Sequence, residues 1–119
     1  MNDKQFELDK TSKKTGSKPD ISLVLPLFNE GKHVAESVAT VIRCLEDIGL
    51  AFELLLIDDG SKDNTWSELQ QIKPNFPCMR AVRFSRNFGK EAAMRAGLEK
   101  SRGSAVIIMD GDLQHPPSL

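Results

Sequence analysis

The chain has 119 residues, which is the size of one domain, and its 39% hydrophobic and 28% charged residues are ordinary values for a globular protein. With 16 basic and 17 acidic side chains the formal net charge is -1, so no overall positive charge is present to collect nucleic acid, and no nucleic-acid partner is predicted. Two cysteines, Cys44 and Cys78, have neither metal-site nor disulfide spacing and are predicted to be reduced core thiols, which excludes a disulfide scaffold.

The first segment, residues 1–20, is too polar to pack against a core. It holds five lysines and four acidic residues, and Phe6 and Leu8 are its only large apolar side chains after the first methionine. Such a segment buries too little apolar surface to offset the entropy lost on ordering. We predict a disordered tail over residues 1–20, without the apolar stretch of a signal peptide, and a folded unit over residues 21–119.

The strands are predicted from four short apolar runs that are rich in Val, Ile and Leu. The runs span residues 21–25, 52–57, 81–84 and 105–109. Continuous apolar runs of this length are typical of strands that are buried on both faces of a parallel sheet.

Helices are predicted between these strands, because apolar residues recur there at intervals of three and four. The intervals run over residues 34–48, 66–72 and 90–101. Asp63 stands where an N-cap would precede the second helix, and Pro74 marks the end of that helix. The order β-α-β-α-β-α-β predicts an α/β fold with a doubly wound, mainly parallel sheet that is covered on both faces.

The most informative feature is that polar clusters directly follow all four predicted strands. The clusters lie at residues 26–30, 58–63, 85–90 and 110–115. The carboxyl ends of parallel strands share one edge, and open α/β sheets bind their ligands beyond that edge, where the winding reverses. Chain position therefore predicts one composite ligand site.

Two pairs of carboxylates in these clusters are candidate ligand-binding groups. Asp110 and Asp112 flank Gly111, and their oxygens suit hard cations such as Mg²⁺ or Mn²⁺, which commonly bridge a protein to phosphate. Turn formation by Asp-Gly is the alternative. Asp58 and Asp59 place two like charges at another strand end, which favours ligand binding over the alternative of turn formation and helix capping.

A candidate anion site follows the third strand. Arg86, Asn87 and Lys90 bracket the start of the third predicted helix, where backbone N–H groups and basic side chains favour a phosphate. A solvated helix start, without a ligand, is the alternative.

Several other nucleotide or phosphate folds are excluded by spacing. No GxGxxG follows the first strand, and neither a P-loop nor a GxSxG nucleophile elbow occurs in the chain. A receiver-like phosphoacceptor domain also gathers aspartates at a sheet edge. Such a domain normally has its acidic pair after the first strand, where this chain has Pro26, Leu27 and Phe28.

Four segments in order carry a family resemblance: ISLVLPLFNE, LLLIDDGSKDNTW, RFSRNFGKEAAMRAGL and VIIMDGDLQHPP. Together they resemble the inverting family 2 glycosyltransferases, and in particular the branch that transfers mannose or glucose to polyprenyl or dolichyl phosphate. The resemblance covers residues 21–119. It implies a GT-A fold, a doubly wound and mainly parallel sheet that is incomplete in this chain.

The resemblance also implies roles for individual residues. Those that would line the nucleoside pocket are Pro26, Phe28, Glu30, Ile57 and Asp59, with backbone of Met109 and Gly111 near the same ligand. The divalent cation, Mg²⁺ or Mn²⁺, would be held by Asp110, Asp112 and Gln114, and further donor contacts would come from Arg86, Asn87 and Lys90. Phe28 stands where the family more often has tyrosine, so the ring is kept and a hydroxyl donor is lost.

The implied reaction is metal-assisted, inverting transfer of a sugar from a UDP- or GDP-sugar to a polyprenyl or dolichyl phosphate. Residues 21–119 would be the donor- and metal-binding half of such an enzyme, soluble and inactive alone. Membrane association, at the cytoplasmic face, would come from segments absent here. The alternative is a non-catalytic nucleotide- or sugar-binding module or scaffold of the same fold, which would not depend on the metal.

Overall fold

The computed structural model describes residues 18–109. The predicted tail up to residue 17 and the predicted ligand residues Asp110, Gly111, Asp112 and Gln114 lie outside this range. Two residues that the sequence placed in the tail hydrogen-bond to the folded unit: the Ser104 N–H donates to the Pro19 carbonyl at 3.2 Å, and the Asp20 N–H donates to the Ala51 carbonyl at 2.9 Å.

Strands and helices alternate along the described residues in the predicted order. The elements are β1 (Ile21–Leu27), α1 (Val34–Ile48), β2 (Phe52–Asp58), α2 (Thr65–Ile72), a 3-10 turn (Lys73–Asn75), β3 (Met79–Arg83), α3 (Lys90–Lys100) and β4 (Ala105–Ile108). All strand pairs in this range are parallel, and the spatial order is β3-β2-β1-β4. The parallel α/β sheet is therefore confirmed.

The sheet is wound in both directions from β1. The chain moves outward from β1 through β2 to β3, and α3 then carries it back to β4 on the other side of β1. One face packs against α1 and α2 through residues such as Leu25, Val38 and Leu69. The other face packs against α3, where Val24 and Leu55 lie against Ala93. The winding reverses between β1 and β4, as in other doubly wound sheets.

The helix α3 lies very close to the sheet because Gly97 faces β1. A Cβ atom added at Gly97 would lie 2.2 Å from Cγ1 of Val24. A side chain here would push the helix away from the strand, so this glycine sets the depth of the α3 packing.

Two burial expectations were wrong. The strand β4 is not buried on both faces: Ala105, Val106 and Ile107 are exposed, because β4 is an edge strand that pairs, within residues 18–109, with β1 alone. Cys44 is not a core thiol, since it lies on the solvent side of α1, whereas Cys78 is half-buried. Burial raises the pKa of the Cys78 thiol.

The start of α2 also differs from the expectation by one residue. The N-cap position is occupied by Asn64, whose side chain makes no capping hydrogen bond. Asp63 instead accepts a hydrogen bond from the Thr65 N–H at 2.9 Å. Over the described part of the chain, no helix combines the length and the hydropathy needed to cross a bilayer.

Candidate functional site

Three described loops meet at the carboxyl edge of the sheet. Residues 28–33 follow β1, residues 59–64 follow β2, and residues 84–89 follow β3. The strand β4 brings Met109 to the same edge, where its N–H donates to the Val24 carbonyl at 2.9 Å. The predicted composite site is therefore assembled from neighbouring loops, and hydrogen bonds join each loop to the next.

The first and second loops interlock through backbone donors and side-chain acceptors. Three consecutive N–H groups of the first loop donate hydrogen bonds to side-chain oxygens: that of Asn29 to Ser61 Oγ (2.8 Å), that of Glu30 to Thr65 Oγ1 (2.8 Å) and that of Gly31 to Asp63 Oδ2 (3.1 Å). In the other direction, Asn29 Oδ1 accepts the Lys62 N–H at 2.8 Å. Asn29 is held at φ 54°, a left-handed conformation that asparagine tolerates better than most residues.

Close approach at Gly31 is part of the same interlock. A Cβ atom there would lie 1.9 Å from Asn64 Oδ1, so any side chain would separate the two loops. Slight desolvation raises the pKa of Asp63, but hydrogen bonds from the Thr65 hydroxyl, the Thr65 N–H and the Gly31 N–H outweigh it and lower this pKa below its usual value. The carboxylate form of Asp63 is thus the form that holds the loops together.

Asp58, the last residue of β2, and Asp59, the first residue after it, have different hydrogen-bond partners. Asp58 is fully buried, and its Oδ1 accepts the Ser61 N–H at 3.0 Å. Its Oδ2 is buried without a hydrogen-bond partner among residues 18–109. Asp58 therefore stabilises the turn after β2, and its part in ligand binding stays a prediction.

Asp59 holds the third loop. Its Oδ1 accepts the Phe88 N–H at 2.8 Å, and its Oδ2 accepts the Gly89 N–H at 3.0 Å and the Asn87 amide at 3.2 Å. Only 4% of Asp59 is exposed. Both carboxylate oxygens are engaged by the loop that carries the candidate anion-binding residues.

Gly60 lets the second and third loops touch backbone to backbone. Its φ is +71°, and a Cβ atom there would lie 2.2 Å from the carbonyl carbon of Arg86. Only glycine satisfies both the left-handed conformation and the close approach. The three loops consequently form one continuous surface.

This surface presents exposed rings and cations. Phe28 is 41% exposed, the Arg86 guanidinium lies 4.9 Å from the centre of the Phe88 ring, and Lys90 is exposed at the start of α3. Phe84 contacts Phe88 edge to face, with ring centres 5.6 Å apart. A surface of this kind can pack against a base and attract phosphate oxygens.

A cleft of about 330 Å³ adjoins these loops between the ends of β2 and β3. It is lined by Gly60, Ser61, Arg83, Phe84 and Ser85. The guanidinium of Arg83, one of these lining residues, lies 5.5 Å from the centre of the Trp66 ring on α2.

The predicted nucleoside-pocket residues divide by exposure. Phe28 is exposed and Glu30 is half-buried, whereas Pro26, Ile57 and Asp59 are buried. Ile57 packs with Ala93 in the core beneath α3, so its side chain belongs to the core. Arg86, Asn87 and Lys90 are exposed and Met109 is half-buried.

The predicted metal ligands fall outside the described residues. Within residues 18–109, no group of three His, Cys, Asp or Glu side chains is placed to hold a metal ion. The donor set that the sequence supplies after β4, two carboxylates and an amide oxygen, has the hard oxygen chemistry that Mg²⁺ and Mn²⁺ require.

Sequence reasoning missed the residues that join the loops. Ser61, Thr65 and Asp63 lie within a short run of hydroxyl and carboxylate side chains after β2, which is the composition of residues that bind nearby backbone N–H groups. Glu53 was also missed, although it is a charged residue inside an apolar strand. A charged residue that interrupts an apolar run is the feature of the sequence that could have indicated a buried, paired carboxylate.

Comparison with known proteins gives a family match and a set of relatives. The family described as "Glycosyl transferase family 2" matches residues 22–119. The chain is 40% identical over 99 residues to "Putative glycosyltransferase CsbB" of Bacillus subtilis, covering 83% of this chain and 30% of the relative. It is 43% identical over 99 residues to "Undecaprenyl-phosphate 4-deoxy-4-formamido-L-arabinose transferase" of Pseudomonas aeruginosa, covering 82% and 29%.

A third relative, "Dodecaprenyl-phosphate galacturonate synthase" of Rhizobium johnstonii, is 39% identical over 99 residues, with 82% of this chain and 29% of the relative covered. The chain thus spans less than a third of the length of these relatives.

Two solved structures share the fold. Mannosyltransferase PcManGT from Pyrobaculum calidifontis, in complex with GDP-Man and Mn²⁺, matches with a TM-score of 0.66 and 20% identity over 92% of this chain and 34% of that one. TarS of S. aureus, in complex with UDP-GlcNAc, matches with a TM-score of 0.62 and 21% identity over 78% and 26%. The parallel sheet is that of GT-A glycosyltransferases, as predicted.

Proposed function

The chain belongs to glycosyl transferase family 2, and from this premise we propose that it forms the donor-binding part of an enzyme that transfers a sugar from a nucleoside diphosphate to a polyprenyl phosphate. Two relatives at 43% and 39% identity are named for transfer to undecaprenyl or dodecaprenyl phosphate. The lipid phosphate acceptor, and the membrane association and cytoplasmic orientation that it requires, belong to the whole enzyme and are part of this proposal.

The observation that carries the proposal is the joined surface of three loops at the carboxyl edge of the sheet. Ligands of doubly wound sheets bind at this edge. We place the nucleoside against the exposed ring of Phe28 and the half-buried Glu30. The diphosphate then lies toward Arg86 and Lys90, where two exposed cations favour its charge.

Asp59 enters this proposal in a different way from the one that the resemblance implies. Its carboxylate is already hydrogen-bonded to the third loop, so it holds Asn87 and its neighbours in position for the donor. A preformed loop spares the binding step the entropy of ordering it.

The proposed metal ligands are Asp110, Asp112 and Gln114. A bound Mg²⁺ or Mn²⁺ supplies positive charge that offsets the charge of the leaving diphosphate. The acceptor is a phosphate oxygen, which attacks the anomeric carbon as the bond from that carbon to the diphosphate breaks, with inversion. A phosphate monoester is largely ionised at neutral pH, so this nucleophile demands little from a protein base.

The sugar and the base are the finer parts of the proposal. The motifs that resemble the mannosyl- and glucosyltransferase branch favour mannose or glucose as the transferred sugar. The two relatives are instead named for formamido-arabinose and galacturonate. The solved structures that share the fold hold GDP-Man in one case and UDP-GlcNAc in the other. A panel of UDP- and GDP-sugars is therefore the direct measurement of donor choice.

The test is a ¹⁵N–¹H correlation spectrum of the chain, titrated with UDP and then GDP, each with and without Mg²⁺. We expect one nucleotide to shift the amides of the three loops, with an affinity that rises when Mg²⁺ is present. Asp112→Asn should remove the Mg²⁺ effect. Asp47→Asn, an exposed carboxylate on α1, is the matched control and should leave it intact.

The possible results separate the proposal from its alternative. Dispersed peaks that no nucleotide moves would contradict nucleotide binding. Nucleotide binding that is indifferent to Mg²⁺ and to Asp112→Asn would contradict the metal role and favour a non-catalytic binding module of the same fold.

A further inference from the structure

A buried charged cluster lies at the opposite edge of the sheet from the loops, and the proposed function does not use it. Its centre is Glu53, the second residue of β2, which is 5% exposed. The strand ends at Asp58, five positions after Glu53, so Glu53 lies about 16 Å from the carboxyl edge. Burying a carboxylate is costly unless it is paired and hydrogen-bonded.

Glu53 is fully engaged on both oxygens. Oε1 accepts two hydrogen bonds from Arg80, from Nε at 3.1 Å and from Nη2 at 2.8 Å. Oε2 accepts the Ser22 hydroxyl at 2.5 Å and the Arg102 N–H at 2.8 Å. Strands β1, β2 and β3 each contribute one of the side chains in this cluster.

The cluster holds the connection between α3 and β4. Glu53 binds the backbone of Arg102 directly, and Ser22 Oγ accepts the Gly103 N–H at 2.7 Å. Arg80 Nη2 also donates to the Lys100 carbonyl at 2.7 Å, at the end of α3. A Cβ atom at Gly103 would lie 2.6 Å from the Ser22 nitrogen, so the connection passes directly over β1.

The strand β4 has few side-chain contacts that define its register, namely those of Ile108 and of the following residue, Met109, with the core. It pairs with β1 over four residues, from Ala105 to Ile108, and Val106 and Ile107 are 36% and 44% exposed. Side chains that are exposed on both faces give little preference for one register over the next. A slip of one residue would turn Ile108 and Met109 to the wrong faces and move the segment after β4 by about 3.3 Å.

We propose that Glu53 is a positioning residue: through Ser22 and the backbone of residues 102 and 103 it fixes the register of β4, and so places the metal-binding motif that follows this strand. The second half of this inference rests on the proposed function, since Asp110 and Asp112 are metal ligands only in that proposal. The first half concerns β4 alone and is measured independently.

The experiment compares amide hydrogen exchange in β4 with exchange in β2, in the same chain. Loss of global stability raises exchange in both strands together, whereas loss of the anchor raises it in β4 alone. Ser22→Ala is the principal variant, because it removes the acceptor of the Gly103 N–H and leaves the Glu53–Arg80 pair in place. Glu53→Ala is the stronger variant and removes the anchor itself.

We expect Ser22→Ala to speed exchange at Ala105 and Met109, whose N–H groups donate to the β1 side of the sheet, at least about tenfold more than at Leu55, and Glu53→Ala to do so by more. Val38→Ala, a buried change on α1, is the matched control and should raise exchange in β2 and β4 by the same factor. Equal factors in β2 and β4 for both Ser22→Ala and Glu53→Ala would overturn the proposal.

Calorimetric titration with Mn²⁺ and GDP, or UDP if the unaltered chain prefers it, measures the second half. In Ser22→Ala the Mn²⁺-dependent affinity should fall about tenfold, while the affinity measured without metal stays the same. If amide exchange rises in β4 alone but the Mn²⁺-dependent affinity for the nucleotide does not change, Glu53 does not position the metal-binding motif. An unaltered chain without Mn²⁺-dependent binding would contradict the proposed function, and the exchange rates would still decide whether Glu53 fixes β4.

Discussion

Each of the two edges of the sheet has a carboxylate, one in β2 and one directly after it, that accepts hydrogen bonds from backbone N–H groups distant in sequence. At the carboxyl edge Asp59 holds the N–H groups of Phe88 and Gly89. At the amino edge Glu53 holds the N–H of Arg102. Both carboxylates are almost completely buried, so in both places the bonds are made in a region of low dielectric, where they are strong.

The difference between the two edges lies in the cation. Glu53 receives the guanidinium of Arg80 at 2.8 Å, so its charge is neutralised locally. The hydrogen bonds to Asp59 come from neutral groups, two backbone N–H groups and the Asn87 amide. The amino-edge anchor therefore contains an ion pair, whereas the carboxyl-edge anchor is one carboxylate with neutral hydrogen-bond donors, beneath a loop where a ligand is proposed to bind.

The largest expected effect is at the amino edge. Glu53→Ala should lower the free energy of unfolding by about 3–5 kcal/mol, because it removes the carboxylate that pairs with the mostly buried guanidinium of Arg80. Urea denaturation measures this loss. Glu99→Ala, an exposed change on α3, is the control and should cost less than about 0.5 kcal/mol. Equal losses for the two variants would remove the distinction between the edges.

The next effect tests how tightly the carboxyl-edge loops are packed. Gly60→Ala should cost about 1–2 kcal/mol for the left-handed backbone and a further 1–3 kcal/mol or so for overlap with the Arg86 backbone. Gly49→Ala is a matched control, since Gly49 has φ +85° with no atom within 4 Å of an added Cβ. It should show only the first cost. Thermal denaturation of both variants measures the difference, and equal losses would mean that the loops separate freely.

The third effect isolates the Asp59 anchor. In Asp59→Asn an NH₂ group, which is a donor, replaces one of the two carboxylate oxygens that accept hydrogen bonds from the third loop. At least one of the N–H groups of Phe88 and Gly89 therefore loses its acceptor. The expected loss is about 1–3 kcal/mol, with faster amide exchange confined to residues 85–89. An Asp59→Asn chain whose third loop exchanges as slowly as before would show that Asp59 is not the anchor.

The fold could be predicted from sequence because its determinants are local. Apolar runs and three- and four-residue spacings defined every strand and helix within a few residues, and the chain order then implied a parallel sheet. The exposure of β4 could not be predicted in this way. A run such as Ala105–Ile108 has the composition of a buried strand, and only the tertiary arrangement decides that, within residues 18–109, it lies at an edge of the sheet.

The sequence predicted that the polar loops meet at one edge of the sheet, but it did not predict the contacts between them. The sheet edge followed from the placement of polar clusters after strands, yet the roles within those clusters depend on which loop side chains meet. Asp58 and Asp59 are adjacent in sequence, yet the first accepts a hydrogen bond within its own turn and the second accepts hydrogen bonds from the third loop. Contacts such as Ser61 with Asn29 join residues 32 positions apart, which no local pattern encodes.

The smallest effect is the dependence of the amino-edge anchor on pH. Burial alone would raise the pKa of Glu53, but hydrogen bonds from Ser22 and the Arg102 N–H, together with the charge and hydrogen bonds of Arg80, lower it below its ordinary value of 4.5. A carboxyl whose pKa is lowered by folding adds stability above its unfolded-state pKa. That stability is lost as the pH falls below 4.5 and through the pKa of the folded state.

Urea denaturation of the unaltered chain and of Glu53→Gln across this acidic range measures the effect. The difference between their free energies of unfolding should be largest at neutral pH and should shrink steadily below pH 4.5, because protonation removes in one chain the charge that substitution has removed in the other. The pKa of Asp63 is also lowered, so Asp63 adds the same pH dependence to the free energy of unfolding of both chains. This contribution cancels when one free energy is subtracted from the other. A difference that stays constant with pH would mean that the Arg80 partner stabilises the neutral and charged forms of Glu53 equally.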